Sequence, residues 1–468
     1  MLLPEHVMAL IRLLEAHGFE AWAVGGCVRD AFLGNPAHDF DLCTSALPEQ
    51  TQEVFRSHRL VLAGLKHGTV GVVTEEGVVE ITTFRTEGDY TDSRHPGWVK
   101  FVPTIDEDLA RRDFTINAMA YSPIRGDRDP FGGREDLKNN VLRCVGDPEQ
   151  RFREDALRIL RGARFAARFG MEIETQTWNA MLSTAPLMEG LARERVFEEL
   201  CRLLCLTDGK TLCRLAPILA RVIPELEPMI GFDQRSPHHA HDVFTHTALV
   251  VEGVPAEPEL RLAALLHDVG KPGCFTTDET GRGHFYGHAQ LSAQMAQQIL
   301  RDLKAPTALR EEVVWLIDHH MSFSQPTRKS VRRLLSRYGK ERLMKLNALH
   351  RADLLAKDAE PVARELAQLQ QIRDLIQQVE EEEGRMTLRD LKVNGRDLAA
   401  AGIPQNAHMG MILQTLFNAV LGEEVANERE PLLEMAKDIW NQVADESESR
   451  STPPCKPGGE ESRKKEKN

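Results

Sequence analysis

The chain has 468 residues, with 58 Lys and Arg against 71 Asp and Glu, a net charge of −13, and 42% hydrophobic residues. At about 150 residues per domain this predicts roughly three globular domains, each with its own core. No run of about 18 apolar residues is present, and Met1-Leu-Leu-Pro-Glu-His lacks the flank and core of a signal peptide, so a membrane span is excluded and a cytoplasmic location expected.

Eight cysteines without a CxxC pair predict reduced thiols. Val7, Leu10, Ile11 and Leu14 predict a helix over 5–17. Ala21-Trp-Ala-Val24 reads as a buried strand running into Gly25-Gly26, and further strands are expected at 69–73, 78–84 and 99–102. Residues 1–145 are therefore mixed α/β. From Asp147 to about residue 440 the apolar spacing is that of long helices, interrupted by Pro224, Pro228, Gly231 and Pro237, which mark a boundary near 225–237. The polar, Pro- and Gly-rich end, 445–468, is expected to be disordered. No internal repeat is visible. The acidic total argues against a protein that coats nucleic acid indiscriminately. Phosphate binding follows local charge, however, and Arg111–Arg168 holds 13 Lys and Arg against 9 Asp and Glu.

Four features of the first third of the chain belong together chemically. Val24-Gly25-Gly26-Cys27-Val28-Arg29-Asp30 is a strand feeding a helix through two glycines. Such a turn lets the backbone and a helix N-terminus approach a phosphate, with Arg29 one turn in to clamp it; a purely structural turn is the alternative. In Asp39-Phe40-Asp41 an extended strand turns both carboxylates to one spot and Phe40 into the core, as a Mg²⁺ site for nucleotidyl transfer requires, although Asp-x-Asp alone is commonly a solvated turn. Glu80 is a candidate third carboxylate or an exposed strand residue. Arg111-Arg112 reads as a phosphate contact or a solvated helix end. In Glu154-Asp155-Ala-Leu-Arg158-Ile-Leu-Arg161-Gly-Ala-Arg164, a single helix makes Asp155 and Arg158 neighbours at i, i+3. That pair offers an acceptor and a donor to the edge of a base, or a surface salt bridge. Arg164, nine residues on and rotated about half a circle from Asp155, would meet phosphate or RNA instead.

GGCVRD, HDFDL, TFRTEGDYTDSRHPGWVKFV, LARRDFTINAMAY, DPFGGREDL and EDALRILRGARFAARFG, in this order across 20–170, resemble the class II tRNA nucleotidyltransferase family, which includes CCA-adding enzymes and bacterial poly(A) polymerases. The resemblance implies an α+β polymerase-β-like nucleotidyltransferase head followed by an all-α neck, body and tail. It implies triphosphate contacts from Gly25, Gly26 and Arg29, Mg²⁺ binding and catalysis by Asp39 and Asp41, and nucleotide contacts from Arg111 and Arg112. Asp155 and Arg158 would pair with incoming CTP or ATP, and Arg161 and Arg164 would extend that surface. The loop 86–98, with Gly88, Arg94, Pro96 and Gly97, is where such enzymes keep the segment that helps switch from C to A.

Nine of the 17 histidines lie between 238 and 320. His246, His267-Asp268, His288, His319-His320 and Asp353 form an H…HD…H…HH…D series whose nitrogens and oxygens suit a divalent metal. The series resembles the HD metal-dependent phosphohydrolase superfamily across about 238–355. This implies one or two ions (Mn, Ni, Co, Fe or Zn) and phosphatase or 2′,3′-cyclic phosphodiesterase activity. His238, His239 and His241 read as linker residues. The expected division is a head at 1–145, a base- and RNA-binding neck at 146–230, the HD body at 238–355, a helical tail at 356–444 and the disordered end. The function expected is template-independent addition of C, C and A to tRNA from CTP and ATP, with no membrane or DNA partner. A poly(A) polymerase or a CC- or A-adding specialist is the alternative, and an HD phosphohydrolase with an RNA-binding head the second.

Overall fold

Val7, Leu10, Ile11 and Leu14 are the buried stripe of helix Glu5–Ala16. It is the first element of the computed structural model, which describes residues 3–37, 39–87, 99–236, 241–322, 325–357, 362–383, 387–404, 408–421 and 424–449. Strand β1 (Ala21–Val24) follows, buried at all four positions, as a central strand must be. It is joined by β2 (Asp41–Thr44), β3 (Leu60–Val61), β4 (Thr69–Thr74) and β5 (Gly77–Thr83). β6 (Arg85–Glu87) and β7 (Val99–Phe101) form a separate ribbon, and β8 (Ala120–Ser122) and β9 (Gly126–Arg128) complete a seven-stranded sheet in the order β3-β4-β5-β2-β1-β8-β9. Only β2 and β5 are parallel in it. Trp22, Val24, Cys43, Phe84, Leu109 and Val145 form its core.

Register decides where the chemistry sits. Val24 pairs with Asp41, and Asp41 with Glu80, so the glycine turn and two acidic residues reach the same end of the sheet. The expected strand through Asp39-Phe40-Asp41 begins only at Asp41, and Phe40 is not a core residue. It is half-buried and edge-on to the His6 ring at 6.3 Å. Of loop 86–98, residues 88–98 lie outside the described residues, with Gly88, Arg94, Pro96 and Gly97 among them.

Beyond the head, helices Pro148–Glu154, Leu157–Phe169, Arg193–Leu204 and Gly209–Val222 lead into Val243–Gly253, Pro258–Leu266, His288–Asp302 and Thr307–His319. By compactness the chain forms two units, 1–321 with 348–362 and 322–347 with 363–468, with no division near 225–237. In the second unit Leu391, Leu398, Ile412, Leu416, Phe417 and Leu432 make a core of their own. Helix Arg429–Ser449 carries into the end expected to be disordered, so residues 445–449 are helical; residues 450–468 lie outside the described residues. Among the described residues no helix is long and apolar enough to cross a membrane.

Candidate active site and metal centre

At Gly25 the backbone takes φ +72°, which favours glycine, and a Cβ there would stand 2.8 Å from Arg112 Nη1. The turn therefore needs glycine twice over, for its conformation and for the close approach of Arg112. Helix Gly26–Phe32 starts at this turn and carries Arg29. Arg29 is buried, donates from Nη1 to Asn117 Oδ1 at 2.6 Å, and lies over the Phe169 ring at 4.7 Å.

Arg111 and Arg112 are not a solvated helix end. Both converge on the buried carboxylate of Asp108, at 3.0 and 3.4 Å. Burial pushes that carboxyl up, but the two guanidiniums outweigh it and hold it below its usual range. Asp113, which the sequence reading passed over, is held the same way. Burial opposes its charge, yet Arg161 at 2.7 Å and Asn117 at 3.1 Å hold its carboxyl at about 2.

The expected single helix over Glu154–Arg164 is broken. Helix Pro148–Glu154 ends at Asp155, whose φ −146° and ψ 102° are extended, and a new helix starts at Leu157. Asp155 thus stands at a junction, with one oxygen accepting from the Leu157 N–H at 3.0 Å and the other 3.4 Å from Arg195, another residue the pattern did not single out. Arg158 is not bonded to Asp155. Nη1 donates to Glu154 and to the Arg151 carbonyl, and Nη2 to the Arg111 carbonyl. Of its five N–H groups, Nε–H and one at Nη2 remain for a base edge. Arg164 pairs with Glu199 at 2.6 Å.

Gly25, Gly26, Arg29, Asp39, Asp41, Arg111, Arg112, Asp155, Arg158, Arg161 and Arg164 all line one cavity of about 670 Å³, with Arg168 and Arg195. Glu80 does not. It lines a second cavity of about 460 Å³ with His6 and Glu76, and Asp39 and Asp41 are walls of both. Burial and the neighbouring Asp39 charge raise the Asp41 carboxyl, with Arg112 in part opposing them. Two carboxylates crowded in this way fit a bound divalent cation, which would relieve their repulsion.

The histidines form a second centre, still within the first unit. His246 Nε2 lies 2.9 Å from Asp353 Oδ1, His267 Nε2 3.1 Å from Asp268 Oδ2, and His288 Nε2 3.4 Å from Asp268 Oδ1 and 3.3 Å from His320 Nε2. In each of the four rings Nδ1 meets a backbone carbonyl, of Ala356, Ala264, Phe285 and Ile317 respectively. That contact offers Nδ1–H an acceptor and leaves Nε2 facing inward, which is how metal-ligating imidazoles are oriented. His246, His267 and Asp268 form one set of convergent ligand atoms, and Asp268, His288 and His320 a second, sharing Asp268. His267 Nε2 is buried with no hydrogen-bond partner although it faces Asp268 Oδ2 at 3.1 Å, and that oxygen carries the Lys271 ammonium. An unpartnered imidazole nitrogen on a convergent His/Asp donor set fits a divalent transition metal.

Burial lowers His288 and pushes His320 down to about 3, which keeps both neutral, as a ligand must be. Burial works against His267 too, but Asp268 and Asp353 outweigh it and raise that ring. His319 is not brought into the centre: its ring stacks on Trp315 at 4.4 Å. Lys271 and Lys357 went unread in the sequence. They sit on the two carboxylates, Lys271 Nζ 2.7 Å from Asp268 and Lys357 Nζ 2.6 Å from Asp353. His238 and His239 lie outside the described residues, and His241 is half-buried ahead of the first ligand helix.

Family models match three stretches: the poly A polymerase head domain over 21–143, the RNA- and SrmB-binding site of polymerase A over 170–229, and tRNA nucleotidyltransferase domain 2 over 275–436. The chain is 33% identical to the CCA-adding enzyme of Streptococcus agalactiae serotype V over 436 residues, 92% of this chain and 96% of that relative. It is also 33% identical to the CCA-adding enzyme of Geobacillus stearothermophilus, over 91% of this chain and 95% of that one. The match to the Streptococcus suis CCA-adding enzyme is 45% over 236 residues, 48% of this chain and 58% of that relative, so little more than half of it is spanned. Among solved structures, the Bacillus stearothermophilus CCA-adding enzyme in complex with CTP superposes at a TM-score of 0.71 with 28% identity, over 96% of this chain and 100% of that one. The Thermotoga maritima CCA-adding enzyme complexed with tRNA shares the fold at a TM-score of 0.57 and 20% identity, over 93% and 95%.

Proposed function

The chain belongs to the CCA-adding enzyme family, and from that premise we propose that it adds C, C and A to the 3′ end of tRNA from CTP and ATP, without a nucleic-acid template, in the cytoplasm. The observation that carries the reading is the pair Asp39–Asp41 standing as the common wall of two cavities. In-line displacement at phosphorus needs the attacking hydroxyl opposite the leaving pyrophosphate, and carboxylates shared by two cavities would reach both groups through their metals.

Asp39 and Asp41 would hold divalent cations, Mg²⁺ in this reading, which supply charge neutralisation to the triphosphate and lower the pKa of the acceptor hydroxyl. Arg29, Arg111 and Arg112, each anchored by a carboxylate or amide, present fixed positive charge to the phosphates. The 3′-oxygen forms a bond to the α-phosphorus as the bond to the β-phosphate oxygen breaks, and pyrophosphate leaves. Glu80, which lines the second cavity, would take the hydroxyl proton. Asp155 accepts from the exocyclic amino group that C and A share, and Arg158 donates to the adjacent ring nitrogen; U and G present the reverse pattern and are refused.

The test is incorporation into tRNA transcripts ending before CCA, after C and after CC, each with CTP, ATP or both. Completion of all three and then arrest is the expected outcome. Extension of one end alone would make it a partial specialist, and open-ended A tails a poly(A) polymerase.

The two convergent His/Asp ligand sets and the unpartnered His267 Nε2 favour a second activity. In this reading His246, His267, Asp268, His288, His320 and Asp353 hold one or two divalent transition metals, with Asp268 shared between them, and His319 is left out. Such ions supply an activated water and Lewis acidity to a phosphate ester. Lys271 and Lys357 would turn from the carboxylates towards phosphate oxygens. Water adds across one P–O bond, so that a 2′,3′-cyclic phosphate opens to a monoester and one proton is released. Ion content and phosphodiesterase activity of the purified chain test this, and neither should survive His267→Ala.

A further inference from the structure

We propose that the hydrolytic centre binds its substrate as a nucleotide, with the base stacked on Tyr286; the inference rests on the hydrolytic reading of the His/Asp cluster. The cluster is closed on most sides. The side chains of His246, His267 and Asp268 are 1–2% exposed, whereas that of His288 is 10% exposed, so the cluster is least covered along its His288 edge.

Tyr286 is placed beside that edge by the chain itself. Two residues span at most about 7 Å of backbone, so its Cα lies within that distance of His288. The intervening Gly287 takes φ +77°, and the Phe285 carbonyl orients the His288 ring. Phe285 points inward onto Phe232 and Phe275, and Tyr286 points outward. At 78% exposure it is the most exposed large apolar side chain among the described residues.

Tyr286 is also held. Its ring lies 8° from parallel to His284, centroids 5.4 Å apart. His284 is in turn fixed through Nε2 to Asp278 Oδ2 at 2.9 Å, and Asp278 accepts from the Thr280 and Arg282 N–H groups to close the turn. A pre-ordered aromatic face that covers no core is what a nucleobase stacks on at little entropic cost, and it does not discriminate among bases. Lys357 stands on Asp353, another ligand of the cluster, with its side chain 22% exposed, and would receive a phosphate. Base platform, metal ligands and cation together fit a nucleoside phosphate, whether free or at the end of an RNA.

The test uses two cyclic phosphodiesters, adenosine 2′,3′-cyclic phosphate and the base-less glycerol 1,2-cyclic phosphate, with the full chain. Loss of one stacked base corresponds to about a ten-fold change in binding. Tyr286→Ala should therefore raise KM for the adenosine compound by roughly that factor and leave glycerol cyclic phosphate unchanged, with Tyr286→Phe behaving as wild type. Equal effects on both compounds, or none, would overturn the platform. A second readout is independent of turnover: in Tyr286→Trp, the added fluorescence should be quenched by adenosine cyclic phosphate, or by an RNA ending in it, and not by the glycerol compound. Absence of quenching by both nucleotides overturns the inference. Quenching without hydrolysis of either compound by the wild type would leave the platform standing and remove the hydrolytic reading beneath it.

Discussion

The arginine-lined cavity of the head and the His/Asp cluster solve opposite problems. In the head, Asp39 and Asp41 lie at an open sheet end and line two cavities, while the arginines around them are pinned from behind by Asp108, Asp113, Asn117 and Glu199. In the cluster the ligands themselves are buried and are pinned by backbone carbonyls. A site that must admit a long polyanion keeps its ligands near water and rigidifies their neighbours. Under the proposed reading, a site for an ion buries the ligands and fixes one nitrogen of each ring. The comparison teaches that pre-organisation is placed wherever the incoming group cannot do the ordering.

The contrast can be broken most severely at Asp41. Asp41→Ala should cut nucleotide incorporation by about a thousand-fold or more, since several kcal/mol of transition-state stabilisation go with the metal. Its thermal midpoint should hold, because the lost carboxylate was raised by burial and not stabilised by it; incorporation retained in this variant would remove the metal assignment. His267→Ala should abolish bound metal and phosphodiesterase activity and leave CCA addition unchanged, and a loss of both activities would show that the two centres are not separate. Asp155→Ala should narrow discrimination against UTP and GTP by about ten- to a hundred-fold, one good hydrogen-bonded pair being worth ~1–3 kcal/mol. Misincorporation rates measure this, and unchanged ratios would mean that the base is read elsewhere.

The smallest effect expected is on acid stability. Asp113 is held at about 2, below the ordinary carboxylate value, so its contribution is fully present above about pH 4 and is lost as the pH falls towards 2. Its size is about 2 kcal/mol by linkage. Denaturant melts across that window should steepen in the wild type and flatten in Asp113→Asn. Equal slopes would mean that Arg161 does not stabilise the charge.

The residue types at both centres were legible in the sequence, because each needs chemistry that few side chains supply. Gly25, Asp41 and the HD step are local signals, visible within a few neighbours. What the pattern could not give was anything set by distant partners. His246 meets Asp353 107 residues away, and Arg161 meets Asp113 across 48. The break at Asp155 was missed because Glu154–Arg164 has helical composition throughout, and only its extended backbone ends the first helix. His319 was drawn in by adjacency to His320, yet neighbours on a helix point about 100° apart, and Trp315 takes its ring. Lys271 and Lys357 were unremarkable as surface-type residues until contact with carboxylates gave them a role.

The path of the chain has its own consequence. The first compact unit is interrupted: it runs to Met321, is left for residues 322–347, and is rejoined at Ala348–Val362, which brings Asp353. During synthesis from the N-terminus, all four convergent rings and Asp268 therefore emerge before the second carboxylate exists. A nascent chain shorter than 353 residues holds the complete nucleotide cavity, and its His cluster lacks an acid that His246 contacts at 2.9 Å. The residues that line the nucleotide cavity are thus all synthesised by Arg195, whereas the His/Asp cluster gains its second carboxylate only at Asp353.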